Sequence, residues 1–352
     1  MSYPMPVLLQ GGPVTNPVIM RSPILVALLL VLATSVRGQE EVQTVEFHSP
    51  AVERMMKYNI VLPAGYESSQ ERYPVLYLLH GLTSNYTAWS RMGAAFYAEL
   101  VDDLIIVMPD VGNSWYVNWD ENGEGQRNDW EDHIIVDVIG HVDANFRTIT
   151  RREGRAINGL SMGGYGGLTL GLRHPELFVS IGSTSGALSY ARGAARRMRG
   201  EIRPRPSSPT QELTVEQQAA REASRIRREA ARIRPNPSIG IDGFSSQAER
   251  SPLGRAFLTP ENADAYDPFE LILNVPREEL PHIYLDSGTE DNLINVAREF
   301  AQVLFEHDIP FDFMQMPGRH NGAYWVQSLG HIVSIQYEVI RRALGERPAS
   351  RR

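Results

Sequence analysis

The chain has 352 residues, of which 42% are hydrophobic and 22% charged, a composition with enough apolar side chains for one large α/β domain or two ordinary ones. The formal net charge of −8 excludes a nucleic-acid-binding surface, which needs a basic excess. There is no cysteine, which excludes disulfides, thiolate nucleophiles, thiolate metal sites and lipid attachment to an N-terminal cysteine. Lys57 is the single lysine, so nearly all the positive charge is arginine.

Residues 24–33 form a continuous apolar run, preceded by Arg21 and followed by the small-residue stretch Thr34-Ser35-Val36-Arg37-Gly38. A basic flank, a short apolar core and small residues at a cut after Gly38 describe a secretory signal peptide and an exported protein. The run is shorter than the roughly 18 residues of a membrane-spanning helix, and an uncleaved anchor is the rival reading. Met20, just before the run, is a second candidate for the initiator beside Met1. On this reading residues 1–38 are extension and signal, and residues 39–350 are the folded domain, with no stable membrane span after cleavage.

From residue 39 on, apolar runs of strand length recur, near residues 42–48, 56–62, 75–80, 104–108, 155–158, 179–184, 282–286 and 310–315. The first two lie close together across Ser49-Pro50, which favours an antiparallel pair. The later ones are separated by helical patterns at 88–101, 130–145, 162–174, 293–307 and 324–344. Strand, helix, strand in alternation builds a parallel sheet with right-handed crossovers. Val75-Leu76-Tyr77-Leu78-Leu79 is apolar without alternation, as a strand covered on both faces must be. The expected fold is α/β, with a mostly parallel eight-stranded sheet flanked by helices.

One stretch breaks this rhythm. Residues 191–262 contain no strand pattern; arginines and prolines crowd the start, and a helix opens at Thr214 with Gln217 and ends before Pro235. Val215, Ala219, Ala223, Ile226, Ala230 and Ile233 give that helix a narrow apolar stripe. This helical insertion between the sixth and seventh strands is read either as a solvated excursion or as a cap over the active site.

Gly159-Leu160-Ser161-Met162-Gly163 sits between a strand pattern and a helix pattern. A serine at so sharp a bend needs a strained backbone, and the positions two before and two after it tolerate only very small side chains. This is a nucleophile elbow. A serine hydroxyl needs a base, and the base needs an orienting acid. In chain order Ser, acid, His, the base is His320, in the loop after the eighth strand; His307 and His331 lie on helices and His80 starts the loop after the third strand, where a structural role is favoured. The acid follows the seventh strand, where Asp286, Glu290 and Asp291 are candidates. Asp291 is favoured because it lies past the Gly288 turn, where the next helix begins and its dipole would hold a carboxylate ionised. The oxyanion donors are the backbone N–H groups of Met162, after the nucleophile, and Leu82, in the loop His80-Gly81-Leu82-Thr83. Trp115, Tyr116 and Trp325 are candidate walls of an acyl or aryl pocket, and Trp119 stands near the first two. No metal cluster, phosphate-binding glycine loop or dinucleotide fingerprint is present, so neither a metal nor another cofactor is expected.

Leu79-His80-Gly81-Leu82, Met108-Pro109-Asp110, Asn113-Ser114-Trp115-Tyr116, Gly159-Leu160-Ser161-Met162-Gly163-Gly164-Tyr165-Gly166-Gly167, Ser185-Gly186-Ala187-Leu188, Gly288-Thr289-Glu290-Asp291 and Pro317-Gly318-Arg319-His320 together resemble the esterase D-like branch of the α/β-hydrolases. That branch includes tributyrin esterases, S-formylglutathione hydrolases, feruloyl and acetylxylan esterases, and mycolyltransferases. The resemblance implies an α/β-hydrolase fold and hydrolysis of a small-molecule or carbohydrate-linked carboxylic ester through an acyl-serine. Ser161, Asp291 and His320 match the family triad, and Leu82 and Met162 its oxyanion hole. An acyltransferase with the same acyl-enzyme is the first alternative. A non-catalytic binding module is the second, disfavoured because no triad residue is missing.

Overall fold

The computed structural model of the chain describes residues 42–101, 103–119, 127–202 and 256–345. Eight strands form one sheet: β1 (Gln43–Ser49), β2 (Arg54–Val61), β3 (Val75–Leu79), β4 (Ile105–Pro109), β5 (Arg155–Gly159), β6 (Ser180–Thr184), β7 (His282–Gly288) and β8 (Phe311–Met316). Their order across the sheet is β1-β2-β4-β3-β5-β6-β7-β8. β1 pairs antiparallel with β2 and β2 with β4, while every later pair is parallel. The mostly parallel α/β-hydrolase sheet expected from the sequence is therefore the sheet observed, with an antiparallel edge made by its first two strands.

The central strands are apolar in both phases because both faces are covered. Tyr77, Leu79, Ile105, Val107 and Ile157 point into one core layer. Leu76, Leu78, Ile106, Met108 and Ala156 point into the other. Each fully buried Leu or Ile contributes about 1.5–3 kcal/mol relative to exposure, so the two layers rather than local propensity hold the sheet together.

Helices flank the sheet: α1 (Ala88–Arg91), α2 (Ala94–Ala98), α3 in three consecutive pieces (Trp130–Asp132, His133–Val138 and Ile139–Asn145), α4 (Met162–Arg173), α5 (Tyr190–Met198), α6 (Pro260–Asp264), α7 (Pro268–Asn274), α8 (Ile294–Glu306) and α9 (Gly322–Ala343). Two depart from a simple helical pattern. The helix expected at 88–101 is broken, because Gly93 takes φ 96° and starts a second short helix. The middle piece of α3 is wound as a π-helix.

The expected signal at 24–33, most of the insertion and the apolar stripe on its helix lie outside the described residues. The described ends of the insertion, α5 and α6, pack side by side, and Arg199 of one pairs with Asp264 of the other, Nη1 to Oδ1 at 3.3 Å. Just beyond α6, the Tyr266 hydroxyl donates to Glu131 Oε2 at 2.6 Å, and Arg173 donates to the Ala265 carbonyl at 2.8 Å. Burial would raise the Glu131 carboxyl, but His174, Arg173 and Tyr266 bond it and hold it at about 2. Among the described residues, no helix is long and apolar enough to cross a membrane.

Candidate active site

β5 ends at Gly159 and α4 starts at Met162, so the chain must reverse within two residues. Ser161 does this at φ 56° and ψ −113°, a backbone conformation that costs on the order of 1–3 kcal/mol for a residue with a side chain. Its surroundings hold it there: the Ser161 N–H donates to the Thr184 carbonyl at 2.9 Å, and the Ser161 carbonyl accepts from Ala187 N–H at 3.1 Å. The flanking glycines are sterically required. A Cβ on Gly159 would lie 2.3 Å from the Gly163 carbonyl oxygen, and one on Gly163 would lie 2.3 Å from the Leu79 carbonyl oxygen.

His320 hangs between β8 and α9, with Nε2 at 2.9 Å from Ser161 Oγ and Nδ1 at 2.9 Å from Asp291 Oδ2. A carboxylate only accepts, so Nδ1 carries the proton and Nε2 is free to accept from the serine hydroxyl. The Asp291 side chain is buried while the imidazole keeps about a quarter of its surface open. Burial pushes the Asp291 carboxyl up, but bonds from His320 and from the Leu293 N–H (2.8 Å) outweigh it and leave it below the usual carboxylate value. The Ser185 hydroxyl adds to this effect, although it stands outside ordinary hydrogen-bond geometry.

Asp291 stands ahead of α8, not in its first turn. The Leu293 N–H, in a tight turn before the helix, does what the sequence reading assigned to the helix dipole. The other two acid candidates are placed elsewhere: Glu290 is exposed and pairs with Arg319 at 3.1 Å, and Asp286 is buried against Thr184 and Ser328. His307 is exposed and its Nδ1 donates to the Val303 carbonyl; His331 is also exposed.

His80 is structural. Its Nε2 accepts from the Val111 N–H at 3.1 Å, which leaves Nδ1 to donate to the Gly81 carbonyl at 2.8 Å. Asn113 Oδ1 fixes the loop further by accepting from Thr83 N–H at 2.7 Å. Asn113 lies 30 residues along the chain from Thr83, and only the fold brings its side chain to that N–H. The Leu82 and Met162 N–H groups donate to no acceptor among the described residues. Gly81 lets the loop come this close, since a Cβ there would stand 2.6 Å from Leu160 Cδ1 and 3.3 Å from Ser161 Cβ.

Ser161 and His320 open onto a cavity of about 670 Å³ walled by Leu82, Met92, Leu160 and Trp325, with Arg91 also in its lining. Trp325 sets its ring edge-to-face with the His320 imidazole, centroids 5.2 Å apart. The other two expected pocket aromatics are not in this wall. Tyr116, at φ 61°, is fully buried, packs where Gly166 has no side chain and donates its hydroxyl to the His80 carbonyl at 2.8 Å. Trp115 stacks on Tyr190, centroids 3.6 Å apart, in a separate aromatic cluster with Tyr165. Consecutive left-handed backbone angles at 115 and 116 turn both side chains under the loop instead of out to the cavity. Among the described residues no group of acidic and histidine side chains is arranged to hold a metal ion.

A family model described as "Putative esterase" matches residues 49–334, which include Ser161, Asp291, His320 and the loop at 80–83. The chain belongs to this esterase family. An esterase of Mycobacterium tuberculosis is 38% identical over 137 residues, 38% of this chain and 30% of that protein. An endo-1,4-beta-xylanase/feruloyl esterase of Xylanibacter ruminicola is 36% identical over 157 residues, 41% of this chain and 21% of the relative. The chain thus spans less than a third of the length of these two curated relatives. Among solved structures, a fluorophosphonate-binding serine hydrolase of Staphylococcus aureus shares the fold, with a TM-score of 0.61 at 22% identity over 85% of this chain and 99% of that one.

Proposed function

We propose that this esterase-family chain is an exported serine hydrolase of carboxylic esters, working through an acyl-serine. The observation that carries the reading is the continuous hydrogen-bonded line from Asp291 through His320 to Ser161 Oγ, facing a cavity beside two unengaged N–H groups. An ester carbonyl carbon is attacked by Ser161 Oγ as His320 Nε2 takes the hydroxyl proton. The carbonyl oxygen becomes an oxyanion held by the Leu82 and Met162 N–H groups. His320, now an imidazolium stabilised by Asp291, returns the proton to the departing alcohol. Water enters by the same route: His320 deprotonates it, it attacks the acyl carbon, and Ser161 leaves as the hydroxyl with the acid released. No step requires a metal or a cofactor. Cavity walls of Leu, Met and Trp beside the nucleophile favour an apolar acyl or aryl group there.

The test is a panel of short-chain alkyl, feruloyl and acetyl-sugar esters together with a fluorophosphonate probe. Turnover of at least one ester class and a single adduct mapped to Ser161 are expected. An intact protein that takes up no probe and cleaves no ester would leave only a binding module. Adding an alcohol to the active enzyme reads the partition between hydrolysis and acyl transfer.

Export rests on the apolar run at 24–33 and the small residues up to Gly38. N-terminal sequencing of the protein recovered outside the cytoplasm is expected to start near Gln39. A product that keeps residues 24–33 would instead be an anchored form.

A further inference from the structure

Among the buried acids that the cavity and the triad leave unused, Asp286 is bonded to the strand and the helix next to the catalytic loops. Asp286 lies on β7, five residues before Asp291, and is 1% exposed. Its carboxylate accepts from Ser328 Oγ of α9 at 2.6 Å and from Thr184 Oγ1 of β6 at 2.7 Å. Those lengths are those of hydroxyls bonded to an ionised acceptor. Among the described residues no cation is a partner of it. A carboxylate buried without a cation is destabilising, and an apolar side chain of its size would suit the core better unless the charge serves another end.

Both of its partners lead to the catalytic loops. The Thr184 carbonyl receives the N–H of Ser161 at 2.9 Å, so the residue whose hydroxyl binds Asp286 also holds the strained nucleophile. The Asp286 carbonyl receives the N–H of Ser185 at 2.8 Å, the residue whose hydroxyl acts on Asp291. Ser328 lies on α9, the helix that leaves directly from His320. One turn before it, Tyr324 packs its ring on Gly318, where a Cβ would stand 2.5 Å from Cδ2, and its N–H is capped by Asn321. The loop that carries His320 thus rests on the same helix that Asp286 grips.

We propose that Asp286 is a positioning residue, whose buried carboxylate joins the loop bearing Ser161 to the loop bearing His320 and holds the two at reacting distance. The inference rests on the esterase reading of the site. Asp286 touches neither substrate nor the reacting atoms and acts through Thr184 and Ser328.

Protonation would weaken the joint, because the neutral acid is a poorer acceptor than the carboxylate and must place its own proton on one of the two hydroxyls, reversing that bond. Burial raises the group to about 6, against the pull of the Ser328 and Thr184 hydroxyls. The titratable groups facing it are the phenols of Tyr284, on β7 itself, and Tyr324, on α9. β6 presents the Thr184 hydroxyl, and β8 places Met314 opposite in register. The sign follows from the raised value. The folded protein holds this proton more tightly than the unfolded chain, so protonation of Asp286 stabilises the fold while loosening the site. Activity and stability therefore move in opposite directions as pH falls through about 6 at this residue.

The experiment compares wild type, Asp286→Asn and Ser328→Ala for kcat and KM from pH 5 to 9 on one ester the wild type cleaves, with thermal unfolding at pH 8. Asparagine keeps the shape and removes the charge. Its kcat at pH 8 is expected to drop at least about 10-fold with KM within about 2-fold, and its melting temperature to equal or exceed that of wild type. On the acid side, the Asp286→Asn profile of log kcat/KM is expected to lack the part of the wild-type decline that Asp286 contributes near pH 6. Ser328→Ala keeps the carboxylate and is expected to lose about 3-fold in kcat, with no further loss when combined with Asp286→Asn. A folded Asp286→Asn with wild-type kcat overturns the inference, as does a parallel drop of kcat and melting temperature, which marks a merely structural residue. If Asp286→Asn does not fold, a folded Ser328→Ala with wild-type kcat overturns it on its own. A wild type with no turnover at all overturns the esterase reading instead.

Discussion

Ser161→Ala is expected to lower kcat on any cleaved ester by about 10⁶-fold, the loss seen when the nucleophile of a serine triad is removed, and to abolish the fluorophosphonate adduct. The reason lies in the division of labour at the elbow. The Ser161 hydroxyl lies 2.9 Å from His320 Nε2, and among the described residues that nitrogen bonds no other hydroxyl. Leu82 and Met162 N–H groups still polarise the carbonyl in the variant, so a residue of catalysis over water, about 10³–10⁴-fold, survives. Folding should be nearly untouched, since alanine tolerates φ 56° no worse than serine and the Thr184 bond is made by the backbone. A circular dichroism melt within a few degrees of wild type, beside a turnover assay at high enzyme concentration, checks both halves. Substantial turnover by Ser161→Ala would move the chemistry to another residue.

Asp291→Asn is expected to cost about 10⁴-fold in kcat, nearly all of it through the wrong imidazole tautomer. An amide NH₂ turned toward Nδ1 donates where the carboxylate accepted, so the ring proton moves to Nε2 and the serine hydroxyl loses its acceptor. If the amide turns its oxygen to the ring instead, the tautomer is kept but the imidazolium formed during attack loses its counter-charge. The same substitution carries a stability signature. Wild-type Asp291 has a folded carboxyl below its ordinary value, so its contribution is fully present above the unfolded carboxylate pKa of about 3.9 and is lost as pH falls through the lower folded one. Melting temperatures of wild type and Asp291→Asn should therefore differ at pH 7 and converge at the acid end. A constant gap across that range would mean that packing, not charge, accounts for the difference.

Much of this was legible in the residues themselves. The central strands announced themselves as apolar runs between polar loops, because strands covered on both faces have no reason to alternate, while the edge strands β1 and β8 carry polar residues between their apolar ones. The elbow could be read from Gly159 and Gly163, since contacts near 2.3 Å leave no room for any other side chain. His320 could be read from chain order and loop position. What could not be read depended on contacts between distant segments. The helix at 88–101 broke because Gly93 adopts a left-handed angle that a helical pattern does not encode. Tyr116 looked like a pocket wall, but the paired positive φ angles at 115 and 116 turn it into the core, where its hydroxyl meets His80. Of the carboxylates at 286, 290 and 291, the last is favoured in sequence by its place past the Gly288 turn, but the burial of Asp286, the exposure of Glu290 and the contact of Asp291 with His320 come from the pleat of β7 and the turn after it.

The packing of α5 against α6 has a consequence for how this enzyme can diversify. Residues 198 and 260 mark the ends of described helices that lie together, so the polypeptide departs from and returns to a single spot on the scaffold. Closing a loop between two such posts costs an entropy that grows only with the logarithm of its length, roughly 0.6 kcal/mol per doubling. Phe257, just before the return, sets its ring against Tyr190, centroids 5.7 Å apart, so the two posts are joined by an apolar contact as well as by the Arg199–Asp264 pair.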